Sequence, residues 1–198
     1  VCRYRFSRVF APSPAPAWRL DPAQSGGGIF LDVGSHVLDI LDFLLGPFIE
    51  YGGAAHRTGA QIVEDVVAVH FRTEGGVVGA ASWNFAASLA EERLEIDGTE
   101  GRLSMEVLGC TPLTVSRAGK AMETIDLPDP PHVQQPLIQA VVDELLGRGT
   151  CPSTGASAAR TSAVMDAALT SFYRGRDDAF WERPATWGAP HMTWRGWH

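Results

Sequence analysis

The chain has 198 residues, 45% hydrophobic and 20% charged, the composition of an ordinary globular protein with enough apolar side chain for one well-filled core. Net charge is −7 and the basic residues are scattered arginines with a single lysine, Lys120, so no stripe stands ready to neutralise nucleic acid or an acidic membrane. Apolar runs are broken by Asp39, Asp42 or Glu64-Asp65 well short of the roughly 20 residues of a spanning helix, while Cys2, Cys110 and Cys151 lack C-x-x-C spacing and an even count, which reads as reduced thiols in a cytoplasmic protein.

In chain order, Val1 to Phe10 reads as a strand, followed by a loop over 11–16 too rich in proline for regular structure. That loop delivers Trp18 and Arg19 towards the run Gly26-Gly27-Gly28, which leads into an apolar helix stopped by Gly46-Pro47. Ile49 to Arg57, Ile62 to Arg72 and Val77 to Phe85 read as strands, the last two joined at Thr73-Glu74-Gly75-Gly76, a hairpin signal. Arg93 to Asp97 with Arg102 to Val107, and Leu113 to Ser116 with Met122 to Asp126, make two further pairs. Short connections imply antiparallel neighbours, because parallel strands need long crossovers. Pro136 fits the first turn of a helix over Leu137 to Leu146, whose face of Leu137, Ile138, Val141, Val142 and Leu145 is expected in the core. A last helix over Ala156 to Tyr173 is capped by Ser153 or Thr154. The product is an α+β fold, a large, open, mostly antiparallel β-sheet with helices on one face, as a single domain over 1–198 whose tail after about 184 carries no assignment.

Chemistry is concentrated in the first long helix. At about 100° per residue, Asp32, Ser35, His36, Asp39 and Phe43 share one side, and Val33, Val37, Ile40, Leu41 and Leu44 the other. Two acids and an imidazole within reach of one bound molecule suit acid–base work. A histidine bonded to an aspartate one turn away is also ordinary helix architecture, and both readings stand at this level. The glycine run favours chemistry, since consecutive glycines are tolerated where a chain turns sharply or something approaches the backbone closely. Asp32 and His36 alone do not make a metal site, and no metal is expected.

The run Trp18-Arg19-Leu20-Asp21-Pro22, Ser25 to Gly28, Asp32-Val33-Gly34-Ser35-His36, Asp39 and Leu45-Gly46 resembles the C-terminal domain of the glucose-fructose oxidoreductase, inositol dehydrogenase and rhizopine-catabolism (Gfo/Idh/MocA) family. Leu94 to Leu103 is similar to that family's hairpin, and Ser153 to Arg160 to the opening of its last long helix. The resemblance implies reversible NAD- or NADP-dependent oxidation of a secondary alcohol on a sugar, inositol or related polyol. It implies His36, or the family's lysine approaching the same oxygen from the dinucleotide-binding domain, as first proton acceptor, Asp32 as the residue that orients His36 or binds a neighbouring hydroxyl, substrate contacts from Asp39, Trp18 and Arg19, and close approach of cofactor or substrate at Gly26, Gly27 and Gly28. A G-x-G-x-x-G fingerprint does not occur, and Lys120 lies outside the Glu-Lys-Pro setting of the family's catalytic lysine. The N-terminal dinucleotide-binding domain is therefore expected to lie outside this chain, leaving the fragment inactive alone. The sheet face opposite the helices is expected to bury against a second subunit. Two other functions fit the same resemblance: a non-catalytic oligomerisation or binding module, and an NAD-assisted glycoside hydrolase.

Overall fold

Strands β1 (Cys2–Val9), β2 (Phe48–His56), β3 (Val66–Thr73), β4 (Val78–Asn84), β5 (Ala86–Asp97), β6 (Arg102–Met105), β7 (Leu113–Ser116) and β8 (Glu123–Ile125) form one open sheet in the order β2-β3-β4-β1-β5-β6-β7-β8. The structure is a computed structural model describing residues 1–9, 18–59 and 62–174; the proline-rich loop and the Trp-rich tail lie outside the described residues. Around the sheet run a 3-10 turn (Trp18–Leu20) and helices α1 (Pro22–Ser25), α2 (Phe30–Leu45), α3 (Gln135–Leu145) and α4 (Gly155–Tyr173). Pairing is antiparallel throughout except between β1 and β4, which run parallel with Cys2 opposite Gly79 and Phe6 opposite Trp83.

Period-two alternation sorts each strand's side chains. Val67, Val69 and Phe71 of β3, Ala81 and Trp83 of β4, Cys2 and Tyr4 of β1 and Leu94 of β5 are buried on one face, in one cluster with Val37, Leu38 and Leu41 of α2 and Val164, Ala168 and Leu169 of α4. Close approach of α4 to the sheet depends on small residues, because a Cβ on Gly53 would stand 3.0 Å from the Ala168 methyl and 2.3 Å from the Ala68 carbonyl. Thr154 caps α4 in a reciprocal capping box with Ser157.

The other sheet face is polar. Arg5 pairs with Glu91 at 3.0 Å, Arg102 with Asp97 at 2.6 Å, Arg3 with Asp97, and Arg72 with Glu50 through Nε at 2.9 Å. The Arg102 hydrogen bond holds the Asp97 carboxyl below its ordinary range.

Three sequence expectations change. The β3 strand begins at Val66; Asp65 before it still bonds the His56 carbonyl and the Phe85 N–H through its backbone, and the Glu64 and Asp65 side chains are buried in polar contacts. The β5 strand begins at Ala86, its Ala- and Glu-rich first half held extended by pairing with β1. The α3 helix forms, but none of its residues is buried: Leu137 is 44% and Leu145 81% exposed. Its periodicity specified an apolar face without specifying a partner for it.

Candidate active site

The α2 helix is seated through its first turn. The Phe30 ring meets Trp83 edge-on at 4.9 Å between centroids, in space that Gly34 leaves open; a Cβ there would come within 2.5 Å of the Phe30 ring. Val37, Leu38 and Leu41 continue the buried side, joined by Asp42, while Val33 and Ile40 are half-buried and Leu44 is exposed. The core side is thus turned by about one residue from the expected one. On the opposite side Asp32 and Asp39 are half-buried, His36 is exposed and Phe43 is 64% exposed.

Asp32 is joined to Arg19, whose Nε–H donates to Oδ2 at 2.6 Å. The same guanidinium lies over the Trp18 ring, 4.4 Å from its centroid. The structure therefore brings Trp18, Arg19 and Asp32 together as a chain of contacts. Among the described residues neither the His36 nor the Asp39 side chain makes a hydrogen bond, and Asp32, expected to orient His36, is directed to the arginine instead.

The glycine run is packed inward. Gly26, at φ +78, closes α1, and Gly26, Gly27 and Gly28 are all buried. The Gly28 N–H donates to both carboxylate oxygens of Glu64 at 2.9 Å, and Tyr173 at the end of α4 donates its hydroxyl to the same carboxylate. A Cβ on Gly28 would lie 2.6 Å from the Glu64 carbonyl and 3.0 Å from its carboxylate. Glu64, 1% exposed, escaped the sequence reading; a glutamate inside the run Ile62-Val63-Glu64-Asp65-Val66-Val67 is the signal that marks it. Asp65 next to it ties the preceding loop by accepting from Thr58 N–H at 2.8 Å and Gly59 N–H at 3.0 Å.

Asp42, also unassigned from sequence, accepts from Arg160 of α4 at 3.0 Å and 2.6 Å and fastens α2 to α4. Beside this pair a cleft of about 290 Å³ is walled by His36, Asp39 and Phe43 of α2, Leu137 of α3 and Ser153 and Ser157 at the start of α4. Among the described residues no group of three His, Cys, Asp or Glu side chains could hold a metal ion, and no helix is long and apolar enough to cross a membrane.

Chemically, the stripe on α2 offers an exposed imidazole flanked one turn on each side by carboxylates, one of them fixed by an arginine. Oxidoreductase P35 of Formosa agariphila is 30% identical over 151 residues, covering 75% of this chain and 46% of that protein. The 1,5-anhydro-D-fructose reductase of Ensifer adhaerens is 31% identical over 174 residues, covering 83% and 52%. The chain spans about half the length of the curated relatives it matches. In fold it is similar to levoglucosan dehydrogenase in complex with NADH, with a TM-score of 0.70 at 19% identity over 85% of this chain and 55% of that one. Residues 1–104 match the model of the GFO/IDH/MocA C-terminal domain, and the chain belongs to that family.

Proposed function

We propose that this chain is the substrate-binding and dimerisation half of an NAD- or NADP-dependent oxidoreductase acting on a secondary alcohol of a sugar, inositol or related polyol. The observation that carries the reading is the α2 stripe: on a helix whose other side is core, the exposed imidazole of His36 stands between Asp32 and Asp39 with no hydrogen bond to any described residue. The sugar-acting reductase among the relatives and the NADH complex among the structural neighbours are consistent with it.

An alcohol gives up a hydride readily only if its hydroxyl proton leaves as well, so a base must reach that oxygen. His36 takes this proton. Asp32, held by Arg19, accepts a hydrogen bond from a neighbouring hydroxyl and stabilises the imidazolium from one turn away, and Asp39 accepts from another hydroxyl. The hydride acceptor is assigned to a dinucleotide-binding half outside these residues. Its pyrophosphate needs free backbone N–H groups and an open glycine loop, whereas the Gly28 N–H and the space above its Cα are taken by Glu64. This chain does not fit the dinucleotide; it supplies the grip on substrate and the first proton acceptor.

The test is turnover of a polyol and sugar panel by the complete enzyme with NAD and with NADP. His36→Ala lowers kcat by about 10²–10⁴, the loss expected for a positioned base, with the melting temperature unchanged. Near-normal turnover by a folded His36→Ala enzyme overturns the assignment.

A further inference from the structure

We infer that the cleft between α2, α3 and α4 is a binding subsite for a second sugar-sized ring, so that the alcohol presented to His36 belongs to a disaccharide or other glycoside instead of a free monosaccharide. The inference rests on the reading that the alcohol reacts at His36.

Length comes first. Asp32, His36, Asp39 and Phe43 follow one another along a single side of α2, and at 1.5 Å per residue the stripe is about 16 Å, or three turns. A six-membered ring with its hydroxyl at His36 and a neighbouring hydroxyl at Asp32 covers about one 5.4 Å turn. Asp39 stands one turn past His36, but Phe43, about 6 Å further along the helix, lies beyond the ring's reach, and Asp39 and Phe43 both wall the cleft.

The lining chemistry then selects the class. A sugar ring has a rim of hydroxyls and a face of C–H groups. Phe43, 64% exposed, offers that face a flat apolar plate, with Leu137 lining the same cleft from α3. Asp39, without a hydrogen bond to any described residue, is an acceptor for the rim, and Ser153 lines the cleft from the start of α4. An anion is disfavoured, because Asp39 and Asp42 line the space and the Arg160 guanidinium is bidentate on Asp42. A hydrocarbon chain would leave the Asp39 carboxylate without a partner. A volume of about 290 Å³ stands at the lower end of small-molecule pockets and suits one ring.

Cellobiose, maltose and glucose are the probes, read by calorimetry and saturation-transfer NMR on the 198-residue chain. At least one disaccharide binds about tenfold tighter than glucose, with saturation reaching protons of both rings. Phe43→Ala removes that advantage and leaves glucose unchanged, whereas Phe43→Trp retains it. Because Phe43 is exposed, neither change touches the core. Equal affinities, a preference indifferent to Phe43, or binding of no saccharide overturns the inference. Failure of the oxidation reading registers separately: turnover of the complete His36→Ala enzyme decides that one, while the Phe43 variants decide the subsite.

Discussion

An arginine that lies on Trp18 at 4.4 Å and donates its Nε–H to Asp32 at 2.6 Å cannot offer that edge to a substrate at the same time. Arg19 acts through Asp32, fixing where the carboxylate points, and Trp18 in turn fixes the guanidinium plane. Both partners are close to half exposed, so the pair contributes about 1 kcal/mol or less to stability. Arg19→Gln in the complete enzyme is therefore expected to lower kcat/KM by about tenfold while shifting the melting temperature little. Arg19→Lys restores only part, since an ammonium keeps the charge without the planar stacked fork; a loss of activity that tracks a loss of stability would return Arg19 to a structural role. At this scale the sequence was legible where spacing alone decides. Asp32, His36, Asp39 and Phe43 do share a side of α2. It was illegible where a partner comes from far along the chain, as for Gly28 with Glu64 or Asp42 with Arg160, separated by 36 and 118 positions.

Helices α2 and α3 carry comparable amphipathic patterns and meet different fates. The α2 helix has sheet and α4 above its apolar side, and Val37, Leu38 and Leu41 are fully buried; α3 follows the last strand, and no residue of its apolar side is buried among the described residues. Periodicity is a property of the segment, whereas burial is a property of its neighbours, so the α3 assignment succeeded as a helix and failed as core. The difference is measurable in the 198-residue chain. Leu145→Glu, at a position 81% exposed, is expected to change unfolding free energy by no more than about 0.5 kcal/mol, while Leu41→Ala, at a position 0% exposed, costs about 2–5 kcal/mol. Denaturant midpoints of the two variants give the comparison; a Leu145→Glu penalty near that of Leu41→Ala would show α3 packed in solution.

For the whole molecule, the open sheet face is the surface on which we propose dimerisation, and its chemistry sets the kind of interface to expect. Arg3, Arg5, Arg72 and Arg102 are matched within the chain with Asp97, Glu91, Glu50 and Asp97, so the proposed interface is one of ion pairs and small side chains, not of apolar bulk. Such contacts are screened by salt. Light scattering after size exclusion is expected to show a dimer at low ionic strength that weakens towards 1 M salt; a 21.3 kDa monomer at every salt concentration would refute the proposal. The sheet itself was foreseen as open and mostly antiparallel, but the parallel place of β1 was not, since nothing local in Val1 to Phe10 says which strands will flank it. That placement governs the order of assembly during synthesis. The β2-β3-β4 and β5-β6-β7-β8 flanks are each built from neighbours in sequence, while β1 precedes both and pairs only across long sequence separations, with Gly79 and Ile96 opposite its Cys2. Loop-closure entropy makes that insertion the slow step, and until it happens β4 and β5 each present an unpaired edge to other nascent chains.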